Sequence, residues 1–196
     1  MFTTYEIVPE KLLYYFAPKC GSRTILGYAY YLKHGCMPEN NPLVLIRENI
    51  QSTRNNPEFY EYRVCVVRDP IKRFISAYDN HINIGIDRTD ARYITVDDVI
   101  GSIQDPNFRK TNSRFMYYIQ SQTSFYGNNN SIFTHIFNVD GMNKLKALIE
   151  KVSGENLPQI HLNKSIASTS TVINDTQANW IKREYSLDYD IYGKWM

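Results

Sequence analysis

The sequence predicts a three-layer α/β fold, in which a central, mainly parallel sheet carries helices on both faces. Two short apolar segments, residues 12–16 and 62–67, have the length and flanks of buried strands, and a turn and a helical pattern follow each of them. Residues 131–152 repeat that order with a third strand and a third helix. Strands that alternate with helices favour a parallel sheet, because each crossover helix packs back against the sheet.

Length and charge favour one domain that binds neither nucleic acid nor a membrane. With 196 residues the chain can bury one sizeable core, so residues 1–196 are expected to form a single domain. The net charge of +2 is small and the basic residues form no blocks, which disfavours nucleic acid and anionic membrane surfaces as partners. No apolar stretch approaches the length of a membrane span, and residues 1–6 lack the basic start of a secretion signal. A cytoplasmic protein, or a domain separated from its targeting segment, is expected.

The first two helices have clear boundaries. Apolar residues at helical spacing predict a helix from Ser22 to about residue 33, and Gly35 ends it. Residues 43–46 are predicted to form a short strand or a buried segment. The second helix follows the strand at 62–67, with Asp69 as its N-cap and Pro70 in its first position.

The later elements are also marked by caps. Thr95 and Asp98 have the spacing of a capping box at the start of a helix, and Gly154 is suited to end another helix. The predicted elements are a helix from Thr95 to about residue 104, a helix at 112–122, a strand at 131–139, a helix at 140–152 and a helix at 175–185.

The turn after the first strand has the composition of an anion site. Gly21 allows the backbone to approach a ligand closely, and the amides of the following helix point toward the turn. Lys19 adds positive charge at the end of the strand. The remaining residues offer hydroxyls, a thiol and a second cation: Cys20, Ser22, Arg23 and Thr24. An ordinary helix start capped by Ser22 is the alternative for this turn.

The cysteines do not indicate a metal site. Cys20, Cys36 and Cys65 are odd in number and lack the spacing of metal ligands, so neither a zinc site nor a disulfide framework is predicted. Cys20 stands beside Lys19 and is either a nucleophile with a lowered pKa or a small residue that the turn requires.

A second turn that follows a strand supports the interpretation of the first turn as an anion site. Arg68 ends the strand at 62–67, and Ser76 follows two helical turns later, so a guanidinium and a hydroxyl can contact different oxygens of one phosphate. Ligands of an open parallel sheet bind outside the carboxyl ends of its strands, where the two turns are expected to meet. Neither turn has the ending of a Walker loop or the spaced glycines of a dinucleotide fingerprint.

These two turns resemble the cofactor loops of sulfotransferases that use 3′-phosphoadenosine 5′-phosphosulfate (PAPS). The first loop of that family has the pattern Pro-Lys-x-Gly-x-x-Thr, and the second has the pattern Arg-Asp-Pro-x-x-Arg-x-x-Ser-x-Tyr. The matching residues are Pro18, Lys19, Gly21 and Thr24 in the first loop and Arg68, Asp69, Pro70, Arg73, Ser76 and Tyr78 in the second. Residues 161–165 and 185–193 are weaker matches to the membrane-associated carbohydrate branch of the family.

The resemblance implies a P-loop-like fold, PAPS as the sulfuryl donor and an acceptor hydroxyl on a glycan or a small molecule, without a metal. Lys19 would neutralise charge on the leaving phosphate oxygen and residues 20–24 would surround the phosphosulfate. Arg68 and Ser76 would bind the 3′-phosphate. Arg23 departs from the usual pattern and is interpreted as an additional contact to the phosphosulfate.

The acceptor proton requires a general base. Glu48 is the first candidate, because it lies ahead of the second loop, where related sulfotransferases carry a catalytic His or Glu. His34 is the second candidate, although a histidine before Gly35 also suits a helix C-terminus. A nucleoside triphosphate enzyme with a P-loop-like fold and a non-catalytic nucleotide-binding module are the alternative functions.

Overall fold

The structure, a computed structural model, describes residues 2–37, 56–80, 95–159 and 171–196. Glu48 and the segment 43–46 lie outside these described residues, as do residues 161–165. In the described part, four strands form one sheet in the order β1-β2-β3-β4. They are β1 (Thr4–Val8), β2 (Leu12–Tyr15), β3 (Tyr62–Val67) and β4 (His135–Asn138).

The sheet is mainly parallel, as the sequence predicts. β2 pairs with β3 in parallel, with Tyr15 opposite Cys65, and β3 pairs with β4 in parallel, with Val67 opposite Asn138. Only β1 runs antiparallel, against β2. The carboxyl ends of β2, β3 and β4 therefore lie at one edge of the sheet.

Nine helices of the described residues surround this sheet, which confirms the predicted α/β class. The first helices along the chain are α1 (Ser22–His34), α2 (Pro70–Tyr78), α3 (Val96–Ser102), α4 (Pro106–Thr111) and α5 (Ser113–Ile119). The others are α6 (Gln122–Tyr126), α7 (Met142–Ser153), α8 (Asp175–Glu184) and α9 (Ser186–Tyr192).

Two apolar clusters hold the layers together. The larger cluster surrounds the sheet, where every residue of β2 is at most 1% exposed. The smaller cluster joins α2, α3, α4, α5 and α8 through side chains such as Phe74, Phe115 and Ile181. The second cluster matters for the site because Phe74, Ala77 and Tyr78 of α2 belong to it.

The predicted caps are confirmed. Gly35 follows α1 with φ 71° and donates its amide to Tyr31 O. Asp69 caps α2 by accepting from the Lys72 amide at 3.0 Å. Thr95 and Asp98 form the capping box of α3, and this helix ends at Ser102 rather than near residue 104.

Two predicted elements differ clearly from the structure, and one strand was not predicted. The predicted helix at 112–122 is two helices, α5 and α6, because Ser121 adopts ψ 150° and accepts from the Ser124 amide as a new N-cap. The predicted strand at 131–139 is reduced to β4, since residues Asn130–Ile132 form a 3-10 turn. Strand β1 was not predicted, although Tyr5 and Ile7 alternate toward the core and are each 2% exposed.

We predict that Thr95→Ala lowers the free energy of unfolding by about 1 kcal/mol, because the Asp98 amide loses its cap. Chemical denaturation measures this difference. Thr111→Ala, at an exposed position in the last turn of α4, is the control and should change stability by less than half as much. Equal effects of the two substitutions would show that the capping box contributes nothing specific.

Candidate functional site: two turns at the carboxyl edge of the sheet

The two predicted anion turns meet at the carboxyl edge of the sheet. Parallel pairing of β2 and β3 places their carboxyl ends side by side, with Tyr15 opposite Cys65. The contact between the turns is direct, since Arg68 Nη1 donates to the Lys19 carbonyl oxygen at 3.2 Å. The Arg68 side chain thus lies against the backbone of the first turn.

The first turn has a left-handed backbone at two positions. Lys19 has φ 66° and Gly21 has φ 75°. A Cβ atom at Gly21 would also lie 3.3 Å from Met142 Sδ, so both conformation and space favour glycine there. Left-handed geometry at a lysine is uncommon and is retained where the surrounding contacts determine the backbone.

The N-cap residue of α1 has no side chain that could cap the helix. Gly21 occupies the N-cap position and makes no side-chain cap hydrogen bond. The amides at the start of this 13-residue helix, which Gly21 does not cap, and the positive end of the helix dipole are suited to bind an anion. The alternative of an ordinary helix start capped by Ser22 is wrong, because Ser22 Oγ donates backward to Ala17 O at 3.0 Å.

The other residues of the first turn differ in exposure. Arg23 is exposed and Thr24 is half-buried in the first turn of α1. Cys20 is 0% exposed, and its Sγ donates to Gln122 Oε1 at 3.5 Å. Burial raises the pKa of the Cys20 thiol, which disfavours the thiolate that a nucleophile requires. The geometry supports Cys20 as a small residue required by the turn.

The second turn is built differently from the first. Asp69 caps α2 and also accepts from Tyr189 Oη at 3.1 Å, so a carboxylate already occupies the start of this helix. An anion at this turn must therefore be held by side chains. Arg68 supplies a guanidinium at the strand end, and half-buried Ser76 lies about 9 Å along the axis from Pro70.

Arg73, which matches the second family loop, is buried. It is 2% exposed, and it donates through Nε to Pro18 O at 3.2 Å and through Nη1 to Gln120 O at 2.5 Å. Its guanidinium carbon also lies 5.7 Å from the centre of the Phe125 ring. Arg73 therefore links α2 to the first turn from within the protein.

Lys19 lies in a strongly positive environment. Burial, followed by the charges of Arg68 and Arg23, lowers the pKa of the Lys19 ammonium to about 8, against a smaller opposing effect of Asp79. Burial also lowers the pKa of Arg68. Cations brought together at a buried edge favour an anionic ligand, which would neutralise their repulsion.

Of the two candidate general bases, the structure describes only His34. Glu48 is outside the described residues, so its role stays a prediction. His34 is exposed in the last turn of α1, where its ring lies 4.3 Å from the Tyr30 ring centre. It follows Ser22 by twelve residues, about 18 Å along a helix, so His34 is too distant to act at the first turn.

Sequence reasoning missed two buried polar residues of the site, Gln122 and Asp188. Both are 0% exposed, and the Gln122 side chain bonds to both turns. Asp188 lies in the segment 185–193, which the sequence singled out for its resemblance to a family. No signal in the sequence distinguished Gln122 from a surface residue of a polar helix.

Two absences apply to the described residues. They contain no group of three or more His, Cys, Asp or Glu side chains able to hold a metal ion. No helix among them has both the length and the apolar character needed to cross a membrane.

We predict that replacing Arg68 raises the pKa of Lys19 from about 8 toward its ordinary value, because a positive neighbour is lost. NMR titration of 13C-labelled lysine measures the pKa in Arg68→Gln. Lys72→Gln is the control, since Lys72 is a surface cation that pairs with Asp140 at 3.8 Å. An unchanged Lys19 pKa in Arg68→Gln would refute the electrostatic coupling of the two turns.

Comparison with known proteins agrees with the geometry of this edge. The model of the Sulfotransferase family matches residues 8–150, which include both turns. Searches among curated proteins and among solved structures gave no significant match. The matched region covers more than half of the 196 residues, from β1 into α7. The chain therefore belongs to the sulfotransferase family.

Proposed function

We propose that the protein transfers the sulfuryl group of PAPS to a hydroxyl of a glycan or a small hydroxylated molecule. Family membership supports sulfuryl transfer in general. The observation that supports PAPS as the donor is that the start of α1 and the Arg68 guanidinium lie at one edge of the sheet, where Arg68 donates to the Lys19 carbonyl of the turn that leads into α1. Such a pair is suited to a nucleotide with two separated anionic groups.

The chemistry of the donor set fits this nucleotide. The amides at the start of α1, with Lys19, Arg23 and Thr24 around them, are suited to the phosphosulfate. Arg68 retains guanidinium nitrogens beyond the one that donates to Lys19 O, and with Ser76 it is suited to the 3′-phosphate. We assign the first turn, with Cys20, Gly21 and Ser22 as its backbone, to the phosphosulfate end.

Lys19 is the residue we assign to the leaving group. When bound, PAPS supplies a sulfuryl group on a phosphate oxygen that gains negative charge as the bond to sulfur breaks. The Lys19 ammonium would donate a hydrogen bond to that oxygen from the turn that follows β2, where the Lys19 backbone is left-handed. The hydrogen bond from Arg68 to Lys19 O holds the two cationic residues next to each other.

Glu48 is the proposed general base for the acceptor hydroxyl. Its position in the chain, ahead of the second loop, supports the assignment. Comparing Glu48→Gln with His34→Asn tests it, because only the first substitution should lower turnover, by about 10²-fold or more. Loss of activity in His34→Asn alone would reject Glu48 as the base.

The test of the function is transfer of labelled sulfate from PAPS to a panel of sugars and phenols, together with calorimetric titration of 3′-phosphoadenosine 5′-phosphate. Binding of that nucleotide and sulfation of a hydroxyl are expected. Magnesium-dependent ATP binding that is tighter than PAPS binding would instead favour a kinase. Nucleotide binding without any sulfate transfer would favour a binding module. The expected cytoplasmic location and single domain stay predictions.

We predict that Lys19→Ala lowers kcat by about 10²-fold while it weakens binding of the product nucleotide by less, because the charge on the leaving oxygen peaks in the transition state. Steady-state kinetics and calorimetry separate the two effects. Lys110→Ala, an exposed lysine on α4, is the control.

We predict the opposite balance for Arg68→Ala, which should raise the Kd of the nucleotide about tenfold or more with a smaller effect on kcat, because a charge-assisted contact to a phosphate is lost. Arg109→Ala, an exposed arginine on α4, is the matched control. A larger kcat effect in Arg68→Ala than in Lys19→Ala would mean that the two loops have exchanged roles.

We predict that nucleotide binding takes up a proton near pH 8 and weakens as the pH rises further. The Lys19 pKa of about 8 is raised when an anion binds, so the neutral amine must gain a proton in the complex. Calorimetry in buffers with different ionisation enthalpies counts this proton. Lys19→Arg keeps the charge without titrating in that range, so it should abolish the proton uptake.

A further inference from the structure

The Gln122 side chain connects the two turns from inside the protein. Gln122 Oε1 accepts from the Arg68 amide at 2.8 Å and from Cys20 Sγ at 3.5 Å. Gln122 Nε2 donates to the Arg68 carbonyl oxygen at 2.8 Å. One side chain thus pairs with both backbone groups of Arg68, as a neighbouring strand would, and also bonds to the first turn.

Asp188 in turn holds the backbone of Gln122. Its Oδ2 accepts from the Gln122 amide at 2.7 Å, and its Oδ1 accepts from the Thr123 amide at 2.9 Å. Both carboxylate oxygens are therefore used at the first two residues of α6. Asp188 is 0% exposed, so these two amides, and not water, solvate its carboxylate.

The result is a continuous buried chain of hydrogen bonds from α9 to the carboxyl edge of the sheet. Asp188 fixes the start of α6, Gln122 projects from that start, and the side chain of Gln122 holds Cys20 and Arg68. Asp188 lies outside the residues 8–150 that match the family model. The site therefore depends on a residue from the last helix of the chain.

We infer that Gln122 and Asp188 are positioning residues, which hold the two turns at the separation that the nucleotide requires. The inference rests on the proposed function for the identity of the ligand. Neither residue needs to touch the nucleotide. Both act by fixing the backbone at Arg68 and Cys20 before the ligand arrives, which lowers the cost of ordering the site on binding.

One substitution tests each of the two links in this chain of hydrogen bonds. Gln122→Glu keeps an acceptor for the Arg68 amide but places a carboxylate oxygen against the Arg68 carbonyl, where Nε2 donated. Asp188→Asn keeps the size of the side chain but replaces one of the two acceptors at the start of α6 by a donor. Neither change substitutes Lys19, Arg68 or Ser76, the residues proposed to bind the nucleotide.

Tyr192→Phe is the matched control. Tyr192 lies on α9 with Asp188 and is also 0% exposed, and its hydroxyl donates to Gly127 O at 2.7 Å. Its substitution removes one buried hydrogen bond of the same helix without a contact to Gln122. Thermal unfolding of all variants ensures that binding is compared at a temperature where each is folded.

The first measurement is the Kd of 3′-phosphoadenosine 5′-phosphate by calorimetry. We expect Gln122→Glu and Asp188→Asn each to raise it about tenfold or more, since each disrupts buried hydrogen bonds at the turns. Tyr192→Phe should stay within about twofold of the wild type. The double variant of Gln122 and Asp188 should raise the Kd by less than the product of the single effects, because both act through one connection.

The second measurement does not depend on a nucleotide. Cys20 and Cys65 are both 0% exposed, but only Cys20 bonds to Gln122. Thiol labelling followed by mass spectrometry should therefore show faster modification of Cys20 relative to Cys65 in Asp188→Asn and Gln122→Glu. The ratio should be unchanged in Tyr192→Phe, and exposed Cys36 reports that the reagent is active.

The outcomes separate the two proposals. A wild type that binds the nucleotide, with both variants within twofold of it and an unchanged Cys20 to Cys65 ratio, overturns the positioning role and leaves the proposed function standing. A wild type that binds no nucleotide overturns the proposed function, whereas the labelling ratio still decides whether Gln122 and Asp188 hold the turn. An equal increase in the Kd of the nucleotide in Tyr192→Phe and Asp188→Asn would show that both act through a general loss of stability, which would overturn the inference.

Discussion

The parallel pairing of β2 with β3 is the constraint on which the rest of the site depends. It aligns Tyr15 with Cys65, so that both chains leave the sheet at the same edge. Backbone hydrogen bonds set this register, and burial of every residue of β2 stabilises the pairing, because apolar layers cover both faces of the strand. The contact between Lys19 O and Arg68 follows from that alignment.

The same edge concentrates positive charge that the protein must hold without a ligand. Arg73 is buried against the Pro18 and Gln120 carbonyls, and Arg68 donates to the Lys19 carbonyl. Carbonyl oxygens solvate the guanidinium groups in place of water, which offsets part of the desolvation cost of burying them. The same burial and the neighbouring cations lower the pKa of the Lys19 ammonium. An anionic ligand would relieve this repulsion, so the electrostatics of the fold and the proposed cofactor are consistent.

Prediction from the sequence succeeded where a local pattern decides the structure. Strand β3 and the caps at Gly35, Asp69 and Thr95 follow from short-range chemistry, and they lie where the sequence placed them. The break between α5 and α6 was missed because Ser121 can continue a helix or cap a new one, and its bond to the Ser124 amide selects the second. The burial of Arg73 could not be predicted from helical periodicity, because the carbonyl oxygens that bind its guanidinium come from the first turn and from Gln120.

The sequence by itself determined the α/β class, the two turns and their resemblance to a sulfotransferase, since each is written in residues close together in the chain. Only the tertiary structure decided that Arg68 contacts the first turn and that Gln122 and Asp188 belong to the site. Asp188 is 66 residues from Gln122 along the chain, and Gln122 is 54 residues from Arg68. Hydrogen bonds over such separations depend on how the helices pack, and local residue preferences carry no information about them.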